Sequence, residues 1–208
     1  MKKIVLAVFA ISATFLFTSC GDFWDELFGK ITGTATVTTA GERTEYTSSI
    51  VMKGTNASVP FYVGLAMVMD IEDLMDVSSA DEIEFPMLCY RITGNNLTSG
   101  TTLTANNVLS EEDLVDFDYT TMFSGKFADN QVVGIALSDT KFYVLNTGTI
   151  KLDKVKKAKV SGSFSGRAYV IDRNADPMLS KEQVSISGSF VSRVVPMMSW
   201  VNRLQEKQ

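Results

Sequence analysis

Two stretches near the C-terminus, "KVSGSFSGRAYVID" at 159–172 and "QVSISGSFVSR" at 183–193, decide the fold class. In the first, Val160, Gly162, Phe164, Gly166, Ala168 and Val170 take every second position; in the second, Val184, Ile186, Gly188 and Phe190 do so. Side chains alternate between the two faces of a strand, so each stretch places its apolar row on one face. The tetrapeptide "SGSF" occurs in both, at 161–164 and 187–190, and the turn-rich "DRNADP" lies between them. The pair is predicted to be an antiparallel hairpin. Folding about that centre sets Gly162 opposite Gly188, Phe164 opposite Ile186 and Val160 opposite Phe190. Large side chains then meet large ones, and the glycines mark a close approach or a bend. Two copies are too few for a repeat architecture.

The same alternation runs upstream. "ITGTATVTTAGERTEYTSSIVMKG" at 31–54 alternates Thr with Ala and Val and reads as a hairpin turning at Ala40-Gly41-Glu42. "VPFYVGLAMVMD" at 59–70 is more continuously apolar: a strand buried on both faces, or the start of a short helix into "DIEDLMDV". Further strands are predicted within 85–93, 132–137, 142–145 and 149–152. Helix is minor. In "SEEDLVDF" Ser110 precedes Asp113 by three residues, a helix start, and "VPMMSWVNRLQEKQ" at 195–208 is a terminal amphipathic helix or a frayed end. The expected class is all-β, an antiparallel β-sandwich in preference to a β-barrel, with minor short helices.

The other end of the chain has a different character. Lys2 and Lys3 precede an apolar run from Ile4 to Phe17, broken only by Ser12 and Thr14, and the run stops at Cys20. A positive end, an apolar middle and small residues before a break form the pattern of an export signal. A membrane-spanning helix needs about 20 predominantly apolar residues, more than this run supplies.

Leu16-Phe17-Thr18-Ser19-Cys20 resembles a bacterial lipobox, with Phe17 where Leu or Val is usual. The resemblance implies cleavage before Cys20 and a diacylglycerol on its sulfur. Asp22, Asp25 and Glu26, just behind the cysteine, resemble the surface-export signal of Bacteroidota lipoproteins. Together these imply an outer-membrane, surface-exposed anchor, with a periplasm-facing position as the alternative. The paired Gly-x-Phe strands are similar to those of β-sandwich lipoproteins of gut and oral Bacteroidota, a likeness that implies no activity. The expected organisation is a signal peptide at 1–19, a lipidated cysteine and tether at 20–29, and a single β-rich domain at 30–208. One acyl chain binds a membrane only marginally, and two or three hold it firmly. Phe23, Trp24, Leu27 and Phe28 are apolar for a linker and suit docking on the domain or the lipid interface.

Residues 1–19 hold two of the 19 basic residues and no acid, which leaves 17 bases against 24 acids, a net charge of −7. Such a surface is expected to repel nucleic-acid phosphates and anionic lipid headgroups. The one basic concentration, "KLDKVKKAK" at 151–159, alternates with Leu152, Val155 and Ala158 and reads as a solvated hairpin tip. Histidine is absent. With it go Ser-His and Cys-His nucleophile pairs and His-ligated metal sites, so no catalytic, cofactor or metal site is assigned.

Of the two cysteines, Cys89 lies among apolar neighbours in "FPMLCYR" and reads as a small buried hydrophobe. Acids cluster at Asp70, Glu72, Asp73 and Asp76, at Asp81, Glu82 and Glu84, and at Glu111, Glu112, Asp113, Asp116 and Asp118. Paired carboxylates could cleave glycosides, but acid runs are mostly solvated loops. "DRNADPMLSKE" imitates a calcium loop at Asp172, Asn174 and Asp176. Pro177 replaces the required glycine and Gln183 the closing acid, so a turn is expected. The methionines and aromatics read mainly as core.

The expected function is a lipid-anchored cell-surface binding or structural protein, not an enzyme, held to the membrane through Cys20 and facing an extracellular glycan or protein. The alternatives are a β-barrel carrier of a small apolar ligand and a carboxylate-dependent glycoside hydrolase.

Overall fold

A computed structural model describes residues 33–56, 58–68, 85–114 and 129–196. They form ten strands: β1 (Thr34–Thr39), β2 (Glu42–Tyr46), β3 (Ser48–Asn56), β4 (Val59–Met67), β5 (Met87–Thr93), β6 (Thr102–Asn106), β7 (Val132–Ala136), β8 (Lys141–Val155), β9 (Lys159–Asp172) and β10 (Leu179–Pro196). The described helical structure is one 3-10 turn, Glu111–Leu114. There Ser110 N–H and Oγ both donate to Asp113 Oδ2, at 2.6 and 2.8 Å. The all-β expectation holds.

All ten strands belong to one sheet. Its ladder runs β3-β4-β5-β7-β8-β9-β10 and returns to β3, a closed ring of seven strands. The hydrogen bonding is therefore that of a barrel rather than of two stacked sheets. The returning pair, β10 with β3, is parallel; the other described pairs are antiparallel. Long strands make the closure possible by changing neighbours along one edge. β10 pairs with β1 at 186–191 and with β3 at 193–196. β8 pairs with β7 at 142–144 and with β6 at 147–151.

The C-terminal hairpin forms, but two residues out of the expected register. Gly162 faces Phe190 and Gly188 faces Phe164. A Cβ on Gly162 would lie 2.7 Å from Phe190 Cζ, and one on Gly188 would lie 2.6 Å from Phe164 Cζ. Each ring thus occupies the space its partner's missing side chain leaves, a cross-strand arrangement that stabilises glycine in a sheet. A two-residue slip keeps every side chain on its expected face. The close glycine pair does exist, one strand over, as Gly148 opposite Gly166.

Elsewhere the predicted elements appear with adjusted limits. Ala40 and Gly41 make the β1–β2 turn with φ of 50° and 91°, a two-residue hairpin turn of the kind that favours glycine. "VPFYVGLAM" is a strand, not a helix, and only Tyr62, Gly64, Ala66 and Met67 in it are buried. The strands with both faces buried throughout are β5 and β7. The two segments predicted at 142–145 and 149–152 are one strand, β8, with a bulge between Leu145 and Thr147. Asn107 holds that bulge, donating from Nδ2 to Leu145 O and from N–H to Asn146 O, at 2.8 and 2.7 Å. β6 is an element that alternation did not single out, and β10 extends through Pro196; 197–208, the rest of the segment expected to be a helix or frayed end, lies outside the described residues.

Tyr90 of β5 and Phe190 of β10 stack at 4.4 Å although two strands separate them along the ladder, so their face is the barrel interior. Val51, Leu88, Ile135, Leu145, Ile150, Phe164 and Ile186 pack in the same core. Met67, Met87, Cys89, Val132, Phe142 and Ile171 form a second core. One buried polar chain lies inside: Tyr90 Oη with Ser192 Oγ at 2.7 Å, and Ser192 Oγ with Ser49 Oγ at 2.6 Å. It ties β5, β10 and β3 together beside the parallel seam. Most buried hydroxyls find a hydrogen-bond partner, and these three supply one another.

Candidate functional site

Cys20, the expected lipid attachment site, lies outside the described residues, as do the expected signal peptide at 1–19 and tether at 20–29. So do Trp24, Tyr119, Trp200, Asp70, Glu72, Asp73, Asp76, Asp81, Glu82, Glu84, Asp116 and Asp118. Of the last acidic cluster, Glu112 is exposed and Asp113 caps the 3-10 turn. Asp172 Oδ1 accepts from Asn174 N–H at 3.0 Å, and Asp172 O accepts from Ala175 N–H at 3.0 Å. The calcium-like letters are therefore an Asx turn. Cys89 is wholly buried, and burial pushes its thiol up to about 12, which removes it as a nucleophile. Among the described residues no large aromatic side chain is fully exposed; Phe61, Phe85, Tyr143 and Tyr169 are half-buried. Arg91 is 5 % exposed, with its guanidinium 4.3 Å over the Phe61 ring. Burial lowers its pKa and the charge of Asp129 opposes that shift.

One surface of the barrel brings many polar groups together. Facing residues across β6, β8, β9, β10 and β1 run Thr104, Thr149, Ser165, Ser187 and Thr38 in a single row. The next row runs Thr102, Lys151, Ser163, Ser189 and Thr36. Strands lie about 4.8 Å apart, so a row of five spans roughly 19 Å. The origin is local: the outward positions of "KVSGSFSGR" are serines between Lys159 and Arg167, those of "SISGSF" are serines, and those of "TATVTT", "TGTIK" and "TLTAN" are mostly threonines. Thr104, Thr149, Ser165, Ser187 and Ser189 are exposed.

The charged side chains named on this face are paired or hydrogen-bonded. Lys151 pairs with Asp153 at 3.3 Å and Arg43 with Glu45 at 2.8 Å. Arg167 donates to Ser185 Oγ at 3.3 Å and to Gln183 O at 2.6 Å. The result is a hydroxyl-bearing surface on which Arg167 keeps its positive charge among neutral partners. Each hydroxyl both donates and accepts, which suits a partner carrying the same groups. Nothing described activates these hydroxyls: a serine nucleophile needs an adjacent base, and the chain has no histidine. The sequence reading followed the inward positions of these strands; the outward serines were equally visible, but their alignment across five strands depends on β1 and β6 joining the long hairpins. No protein-family model, curated protein or solved structure matches the chain.

Proposed function

We propose that the chain is a lipid-anchored binding module of the outer-membrane surface, held through Cys20 and contacting an uncharged extracellular glycan with its hydroxyl face. The row from Thr104 to Thr38 carries this reading. Its chemistry favours a neutral, hydroxyl-rich polymer. Protein interfaces rely instead on buried Trp, Tyr and Arg, and serine is depleted in them. The net charge of −7 expected after cleavage disfavours anionic polymers, nucleic acid among them. The carrier alternative is less well supported, because Tyr90, Phe164 and Phe190 fill the interior where a ligand would sit.

The test is co-sedimentation of the mature protein with a panel of insoluble neutral polysaccharides. At least one should retain it, and Ser165→Glu with Ser187→Glu should weaken retention roughly tenfold, since burying an unpaired charge against a neutral surface is unfavourable. Failure of the whole panel, or equal retention of the double variant, overturns the glycan reading. Labelled palmitate on the wild type but not on Cys20→Ala tests the anchor.

A further inference from the structure

The end of the barrel where β8 turns into β9 gathers cations in an otherwise acidic chain. Lys154, Lys156, Lys157 and Lys159 are exposed around the turn closed by Lys156 N–H to Lys159 O at 2.8 Å. Two more join from other strands. Lys53 of β3 reaches Lys156 O at 3.4 Å, and Arg193 of β10 faces Lys159. None of the six makes an ion pair among the described residues. The described acids at this end are engaged: Asp153 with Lys151, and Asp129 with Arg91. The neighbouring loops add the neutral Thr55, Ser58, Asn95 and Asn96. At the opposite end the turns at 138–140 and 173–178 mix Asp139, Asp172 and Asp176 with Lys141 and Arg173. The solvated-tip reading, and the repulsion of anionic headgroups expected from the net charge, leave out Lys53 and Arg193, which only the pairing brings alongside this turn.

The topology also fixes where the anchor enters. β1 runs antiparallel to β10, so its first residues face Val191, two positions before Arg193. Gly33 is wedged between Ser49 O and Val191 O, where β3 replaces β1 along β10. The chain from Cys20 therefore joins the sheet near the lysine-bearing end. The 12 residues at 21–32 could span at most ~40 Å.

We infer that this end docks on the anionic lipid headgroups of the membrane that holds the anchor, so that the barrel stands on its lysines with the opposite turns outward. The inference rests on acylation at Cys20. An acyl anchor supplies local concentration, and each lysine brought within a Debye length of an anionic surface biases the orientation by roughly fivefold. A basic patch beside a lipid anchor is the two-signal arrangement that holds proteins firmly at bilayers.

The full lipidated protein, reconstituted into vesicles of phosphatidylcholine with or without phosphatidylglycerol, provides the test. Lysines are labelled with a water-soluble acylating reagent and quantified by peptide mass spectrometry. Reactivity of Lys154, Lys156, Lys157 and Lys159 should fall at least fivefold on the anionic vesicles, recover in high salt, and leave Lys181 unchanged. Equal reactivity on both vesicles, or protection that salt does not reverse, overturns the orientation. Palmitate incorporation on the same preparation separates the two failures: an unlabelled Cys20 overturns the anchor and the docking with it, whereas a labelled Cys20 with unprotected lysines overturns the docking alone.

Discussion

Cys89 shows how a single buried group can govern stability. Its thiol is 0 % exposed, and burial pushes it from an ordinary 9.0 up to about 12. Tyr90 is also raised by burial, partly offset by its hydrogen bond with Ser192, and Tyr46 by burial and then by the nearby Cys89. A group whose folded pKa is raised stays protonated in the fold while the unfolded chain gives up its proton. Its contribution is therefore complete below the unfolded value and is lost as pH rises. For Cys89 the loss begins near pH 9 and continues toward 12, at about 1.4 kcal/mol per pH unit. Urea midpoints should be level up to pH 9 and then decline, more steeply above 10, where unfolded tyrosines ionise. Cys89→Ala should delay the decline to the tyrosine range; an unchanged onset would remove the thiol as its cause.

At the scale of elements, the barrel wall is built from rings lying over glycines on the adjacent strand. Tyr90 of β5 covers Gly64 of β4, and a Cβ there would fall within the ring. Gly64→Ala should destabilise by about 1–3 kcal/mol, the usual penalty for overpacking. In a Tyr90→Leu background the same change should have much less effect, as read from urea unfolding of the four proteins in a double-mutant cycle. Additive penalties would mean that the backbone, not the ring, sets the limit. These pairs also explain how far the elements were legible. Alternation located most strands, and "AGE" located its turn, because both depend on local sequence. Register was misread because pairing large with large is only one way to fill a sheet face. A phenylalanine opposite a glycine does so as well, and the slip of two leaves the alternation unchanged. β6 escaped notice because "TLTAN" is short, and the bulge at Asn146 hid the continuity of β8.

For the whole molecule, the choice between sandwich and barrel turned on a contact that local patterns do not encode, the four-residue pairing of 50–53 with 193–196. The candidate site was half legible for the same reason: its serines and threonines stand in plain alternation, but their alignment depends on which strands meet. That seam is the parallel link of the ring, only four pairs long, and parallel pairing is the less stable kind per residue, so it should open before the long β8–β9 and β9–β10 ladders. Stability is distributed unevenly in this way wherever few hydrogen bonds close a structure. The Tyr90–Ser192–Ser49 chain lies against the inside of the seam and resists its opening. Ser192→Ala removes the central hydroxyl and leaves Tyr90 and Ser49 buried without that partner, a loss of about 1–3 kcal/mol. Native-state hydrogen exchange should find the amides of 50–53 and 194–195 less protected than those of β8 and β9. In Ser192→Ala their exchange should quicken by about tenfold or more, while β8 and β9 change less. Uniform acceleration across all ten strands would mean that the ring opens only by global unfolding, and that Ser192 stabilises the core at large rather than its closure.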